Sequence, residues 1–387
     1  MKKFLFIFFV LFVFTSVFGH SYAQTPTPSI TQSQDTFMQG KILKILGQTT
    51  TVGDGGYTEV AQTMQIQILD GNDRGKIITI TQQNDARISK VASFSQGQTV
   101  VIDKAVGNGN SQYTINDTDR IPSLILLALI FFAFTMLIAG KKGIGAIFGL
   151  CISLAIIIGY ILPQMLYNQA DPLTVSVIGS FLILFITTFV AHGFSKQTAI
   201  AVASTFLALL ATYFFAVLSV DFAHLIGLGT EDSYLLELAP GQAINPQGLL
   251  LGGIIIGTLG ALNDVTTTQV SAVFAVFRAN PTQTFWHLIQ HGITIGREHI
   301  VSLVNTLVLA YAGTSLPIFI FILVNPQHLP LWVMINNQQI SEEIVRTVAG
   351  SMGLMLAVPI ATLLASYLAP YFAKNGKEDA HATLHVH

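Results

Sequence analysis

The chain has 387 residues, of which 51% are hydrophobic and 10% charged, and its mean hydropathy is +0.62. A soluble surface needs about 25% charged residues, so the composition excludes a soluble globular protein and indicates an integral membrane protein. The net charge of −2 comes without a basic run or aromatic–basic interleaving, which argues against nucleic acid as a partner. One cysteine, Cys151, leaves no intramolecular disulfide and no cysteine-based zinc site.

Residues 1–23 place Lys2 and Lys3 ahead of the apolar block 4–17 and end in Ser21-Tyr22-Ala23, the layout of a secretory signal peptide cleaved after Ala23. The alternative is an uncleaved anchor, which sends residues 24–119 to the same side of the membrane. Residues 24–35, rich in Thr, Pro, Ser and Gln, read as a disordered linker. From 36 to 119, short alternating segments at 40–46, 63–69, 76–81, 98–106 and 112–115 are separated by turn signals such as Asp70-Gly71-Asn72-Asp73. This predicts about five strands and an N-terminal extracytoplasmic small β-barrel of the OB or SH3 kind. Its aromatics Phe37, Tyr57, Phe94 and Tyr113 read as core residues rather than a ligand-stacking face.

Apolar runs close to the roughly 20 residues that a span requires follow at 121–140, 143–162, 173–191, 198–219, 248–268, 299–324 and 346–368. They predict an α-helical polytopic domain of about seven transmembrane helices over 120–372, with a tail at 373–387. Pro122 opens the first run harmlessly, whereas Pro317 and Pro359 should kink later ones. With 36–119 outside, the inner segments carry Lys141, Lys142, Lys196, Arg278, Arg297, Lys374 and Lys377, while the outer loops 163–172 and 220–247 contain no Lys or Arg. The positive-inside rule therefore predicts a multi-pass protein with its N-terminal domain outside and its tail inside. Arg346, beside Glu342 and Glu343, is the one exception. The tail histidines His381, His385 and His387 read as part of a disordered end.

The fifth run holds Gly253, Gly257, Gly260 and Asp264 at spacings of four, three and four, hence on one helix face. Small residues so spaced admit another helix closely, which places Asp264 along a packing seam. Asn263, Thr266, Thr267, Thr268 and Gln269 make the segment polar. A continuous helix from 248 to 277 would be about 45 Å long against a hydrocarbon layer of roughly 30 Å, so a break, tilt or exit is expected at 263–269. In the sixth run Glu298, Ser302 and Asn305 form a second polar stripe, with Arg297, Val304 and Tyr311 on the adjoining face. Asp264 and Asn305 then lie at matching depth, Arg297 and Glu298 nearer the membrane edge, and an Asp264–Arg297 ion pair is expected. An intramembrane ionisable group marks a functional site by default; the other reading is a polar clamp between two helices.

His287 and His291, four apart, with Glu298 and His299 beyond, have the spacing of a metal pair but read as interfacial, and His192 and His224 read as solvated or capping residues at span ends. No metal or cofactor is predicted. Gly-x-Ser-x-Gly, a Walker loop and His-Glu-x-x-His are all missing from the sequence, so no enzyme activity is predicted.

The blocks Gly257-Thr-Leu-Gly-Ala-Leu-Asn-Asp264-Val, His291-Gly-Ile-Thr-Ile-Gly-Arg-Glu298 and Asn305-Thr-Leu-Val-Leu-Ala-Tyr-Ala-Gly-Thr-Ser-Leu-Pro317 resemble the signature blocks of the YibE/F family of bacterial polytopic membrane proteins. The resemblance covers most of 40–370. It implies a bacterial cytoplasmic-membrane protein, of Gram-positive origin, and brings no substrate with it. The function expected is a permease-like protein moving an ion or small solute along a polar pathway of Asn263, Asp264, Gln269, Arg297, Glu298, Ser302 and Asn305. The alternative is a non-transporting scaffold whose β-domain docks a partner. The partners expected are the lipid bilayer, an extracytoplasmic protein and further copies of the chain.

Overall fold

The computed structural model describes residues 36–52, 58–85, 94–107, 110–238, 244–325 and 327–383. The signal segment, the linker and Tyr57 lie outside the described residues.

Five strands form the first unit: β1 (Thr36–Val52), β2 (Thr58–Ile68), β3 (Ile77–Asp85), β4 (Thr99–Gly107) and β5 (Asn110–Thr118). They make one antiparallel sheet in the order β3-β2-β1-β4-β5. Register shifts near Ile42 and Ile45 bend the 17-residue β1, which pairs with β4 along its first part and with β2 along the rest. The sheet curls into a half-barrel over Met38, Ile42, Met64, Ile66, Ile68, Ile78, Ile80, Val100, Ile102 and Ile115. Alternation along each strand sends these side chains inward. Phe94 and Tyr113 join this core as expected, whereas Phe37 is exposed. Among the described residues no backbone ladder joins β3 to β5; side chains bridge that side instead. Tyr113 Oη donates to Asp73 Oδ2 at 3.1 Å and accepts from Lys76 Nζ at 3.1 Å, while Lys104 Nζ donates to Asp73 Oδ2 at 2.5 Å.

The helices are α1 (Ile121–Ala139), α2 (Lys141–Ile156), α3 (Pro172–His192), α4 (Lys196–Phe222), α5 (Glu231–Leu238), α6 (Pro246–Ala279), α7 (Phe285–Thr314), α8 (Leu316–Val324), α9 (Leu331–Ile335) and α10 (Gln338–Thr383). A π-turn at Ile157–Ile161 carries α2 on into the short helical stretch Leu162–Leu166. Among the described residues seven helices are long and apolar enough to cross a membrane, and the chain is a multi-pass membrane protein. Caps set their starts: Asp171 accepts from Thr174 N, Ser195 from Thr198 N, Asn245 from Gln247 N and Gly248 N, and Thr284 from His287 N. Pro172 and Pro246 follow their caps, where a missing N–H costs nothing.

The bundle core lies between α2, α3, α4, α6 and α10, around Ile156, Ile183, Leu184, Leu209, Ile255, Leu259, Leu262, Leu354 and Val358. The close-packing seam is on α10, where Ala349, Gly353, Ala357, Ala361, Ala365 and Ala369 recur every four residues and are buried. A Cβ on Gly353 would come within 2.8 Å of Thr212 Cβ on α4. The hydroxyls of Ser176, Ser204, Thr205, Thr212, Thr258, Thr266 and Thr362 bond the carbonyl one turn back on their own helix.

Three expectations are corrected. The helix break at 263–269 does not occur: α6 is continuous over 34 residues, because Thr266 bonds its own backbone and Asn263 and Gln269 find partners on other helices. The sixth span begins at Phe285 rather than 299 and ends at Thr314, with Pro317 opening the separate α8 instead of kinking a span. The last helix continues through Pro359 and Pro370 to Thr383, well into the segment expected as a tail.

Candidate functional site

At 3.6 residues per turn, Gly253, Gly257, Gly260, Asp264, Thr267, Thr268 and Ser271 share one face of α6. The opposite face, with Ile255, Leu259, Leu262, Thr266 and Val273, is buried in the bundle. Gly257, Gly260, Asp264 and Thr268 are exposed on the single chain. Among the described residues the glycines therefore form no helix–helix seam within the chain, contrary to the expectation from spacing. A Cβ on Gly253 would lie 3.2 Å from Arg346 Nη1, one on Gly257 3.2 Å from Tyr311 Oη, and one on Gly260 would meet nothing within 4 Å. The face receives two side-chain tips and otherwise stays open.

At the other end of this face a cavity of about 170 Å³ is lined by Thr188 and His192 of α3, Ser195, Gln197, Thr198 and Ala201 at the start of α4, and Thr267 and Ser271 of α6. The tight α3–α4 connection brings these groups together: Ser195 caps α4 and its hydroxyl lies 2.8 Å from Thr198 Oγ1. Gln197 Nε2 donates to Ser271 Oγ at 2.7 Å, and Thr188 Oγ1 donates to Asn263 Oδ1 at 2.9 Å. The Thr267 hydroxyl is buried and has no hydrogen-bond partner among the described residues. His192 is close enough to act electrostatically on the Asp264 carboxylate. A cavity lined almost entirely by hydroxyls, one amide and an imidazole suits water, a small cation or a small polar solute.

The opposite end is built around Arg346. Its Nε stands 3.4 Å from Glu343 Oε1, and this side chain and Glu343 are 21% and 25% exposed. Glu342 beside them is buried, accepting from Gly229 N and Gln338 Nε2, both at 2.9 Å. It ties the α4–α5 loop to α10. Tyr311 and Glu343 also lie on the wall of a mostly apolar cavity of about 530 Å³ between α7, α8, α9 and α10.

The sequence-predicted residues divide accordingly. Asp264 and Asn263 belong to the polar face and its margin. Gln269 is buried in a clamp, its Nε2 donating to Gly292 O of α7 and Thr362 Oγ1 of α10, each at 2.7 Å. Arg297, Glu298, Ser302 and Asn305 stand apart. Leu288, Gly292 and Gly296 are buried, and Ile300, Leu303 and Leu307 pack against the core, which fixes the inner face of α7. Glu298, Ser302 and Asn305 fall on the opposite, exposed face. The expected Asp264–Arg297 ion pair is not formed: among the described residues neither side chain has a hydrogen bond or ion pair. Because α7 starts at Phe285, Arg297 lies in the middle of this helix.

The family model for YibE/F-like proteins matches residues 127–371. The chain belongs to this family. No curated protein and no solved structure matches it. The family match takes in α2 to α9, most of α1 and α10 up to Tyr371, so both ends of the polar face lie within it, and the β-domain lies outside. Sequence reasoning missed His192, Tyr311, Glu343 and Arg346 as members of the site. Arg346 stood out only by its place on the wrong side of the charge rule; His192 carries no local signal, since only the packing of the α3–α4 turn on α6 brings it near Asp264.

Proposed function

We propose that the chain is a permease-like protein that moves an ion or small polar solute along the Asp264 face of α6. The observation that carries this reading is the length of the face. Gly253 to Ser271 spans 18 residues, about 27 Å at 1.5 Å per residue, close to the roughly 30 Å of the hydrocarbon layer. Over that distance α6 presents glycines, a carboxylate and hydroxyls instead of hydrocarbon. Arg346 and Tyr311 stand at one end and the His192 cavity at the other. Asp264 is the group that takes and releases the cation or proton, and His192 lines the cavity at one end of its face. The hydroxyls of Thr188, Thr267 and Ser271 and the amide of Gln197 stand in for a hydration shell.

Charge distribution orients the path. With residues 1–23 directing export, the β-domain outside and the Lys-bearing turns inside, the His192 cavity faces the cytoplasm of a bacterial cell and the Arg346 end faces out. The decisive experiment compares wild type with Asp264→Asn in reconstituted vesicles, reading proton and cation flux with entrapped dyes. Asp264→Asn should abolish flux while circular dichroism and unfolding midpoint stay unchanged; undiminished flux sinks the proposal. The exposed stripe of Glu298, Ser302 and Asn305 favours a second reading, a non-transporting membrane component that docks a partner. That reading predicts normal assembly and phenotype for Asp264→Asn.

A further inference from the structure

The Asp264 face is open on one side in the single chain, and among the described residues Arg297 is an unpaired cation at its depth. Two contacts fix the relative height of the antiparallel helices α6 and α7. Gln269 Nε2 bonds Gly292 O at 2.7 Å and lies 3.2 Å from a Cβ placed on Gly296, while Tyr311 Oη reaches Gly257 further along. Asp264 precedes Gln269 by five residues and follows Gly257 by seven, so the two contacts make it level with the part of α7 from 297 to 304. Arg297 opens that stretch. Both side chains are exposed, and among the described residues neither has a hydrogen bond or an ion pair. An unpaired carboxylate and an unpaired guanidinium at one depth in a membrane are each disfavoured in hydrocarbon.

We propose that a second copy of this chain covers the Asp264 face of α6, with Arg297 of each copy paired to Asp264 of the other. The argument is charge complementarity under symmetry. Copies inserted in the same direction are related by an axis along the membrane normal, and rotation about that axis conserves depth. A group level with Asp264 in one chain is therefore level with it in every copy. Two-fold contacts are isologous, so one arrangement forms the pair twice. Gly260, where an added Cβ meets nothing within 4 Å, and the exposed Thr268 leave room beside Asp264 for a long arginine side chain. This inference deepens the permease reading: the path along α6 gains its missing wall from the second copy.

The test uses the full chain in membranes. Cys151 is the one cysteine in the sequence, so Cys151→Ser gives a cysteine-free background. Two differently tagged chains are co-expressed, one with Asp264→Cys and the other with Arg297→Cys, and oxidised. Such a pair keeps one native Asp264–Arg297 contact. A disulfide-linked species carrying both tags at twice the chain mass is expected, lost when either cysteine is omitted. Three results overturn the proposal: no species with both tags, an adduct with an unrelated protein, or a chain bearing both cysteines that closes on itself at monomer mass. Failure here is separable from failure of transport. A crosslinked pair without flux in vesicles leaves the dimer standing and removes the permease; flux from a chain that stays monomeric in nanodiscs does the reverse.

Discussion

Replacing Gln269 by leucine removes two interhelical hydrogen bonds while leaving the side-chain volume nearly unchanged. Gln269 is 2% exposed and bonds α7 through Gly292 O and α10 through Thr362 Oγ1, both at 2.7 Å. Hydrogen bonds between membrane helices contribute about 0.6 kcal/mol on average and about 1.7 kcal/mol at most, so losing both should cost roughly 1–3 kcal/mol. The upper end is moderated because Thr362 keeps its own donation to Val358 O at 2.8 Å, leaving no donor stranded. Equilibrium unfolding in mixed micelles, followed by circular dichroism, reads the change. Flux per folded protein should stay near wild type, since Gln269 lies on the buried side of α6, away from Asp264. Unchanged stability together with lost flux would refute the reasoning and place Gln269 on the path instead of in a clamp.

Gly353→Ala should lower the unfolding midpoint, at a cost of about 1–3 kcal/mol for overpacking against Thr212. Gly313→Ala, with nothing within 4 Å of the added Cβ, should leave it unchanged or slightly raised. In the β-domain, the hydrogen bond from Lys104 holds the Asp73 carboxyl below its ordinary 3.8 and lifts Lys104 above its ordinary 10.5. The depressed carboxyl stabilises the fold above its unfolded pKa and loses that contribution as pH falls through the folded value; the raised ammonium loses its contribution only as pH rises through its folded value. Protection factors in β1 to β5 of the full chain should therefore be level between about pH 4 and 10 and fall outside that window. Hydrogen exchange on Asp73→Asn should show both limbs diminished, and limbs of undiminished size would contradict the assignment.

Features set by composition or by residues close in sequence were legible before the structure. Apolar runs of spanning length located the seven helices, and alternation located the five strands, because burial in lipid and in a sheet core imposes those periods directly. The shared face of Gly253, Gly257, Gly260 and Asp264 was legible too, since it follows from helix geometry alone. The neighbours of that face were not. Glycine spacing suggested a packing seam on α6, yet the seam is the alanine-rich row of α10, which does not stand out in an already apolar helix. The polar run 263–269 suggested a break, because a helical pattern cannot show that Thr188 waits for Asn263, and Gly292 and Thr362 for Gln269, on other helices. Hydropathy placed the start of the sixth span late, since the polar half of α7 with Arg297 and Glu298 is helical without being apolar.

The hydroxyls that bond their own helix carbonyls bear on how the chain enters the bilayer. Thr205 of α4 and Thr266 of α6 lie 2.5 Å apart in the finished bundle, but each has an acceptor one turn back, Ala201 O and Leu262 O. Each such helix can leave the translocon with these donors already satisfied, so no hydroxyl of this kind dictates which neighbour must arrive first. The amides of Gln197, Asn263 and Gln269 have no such local substitute, and their partnerships all involve α6. α6 is therefore the helix on which the amide contacts of α3, α4, α7 and α10 converge.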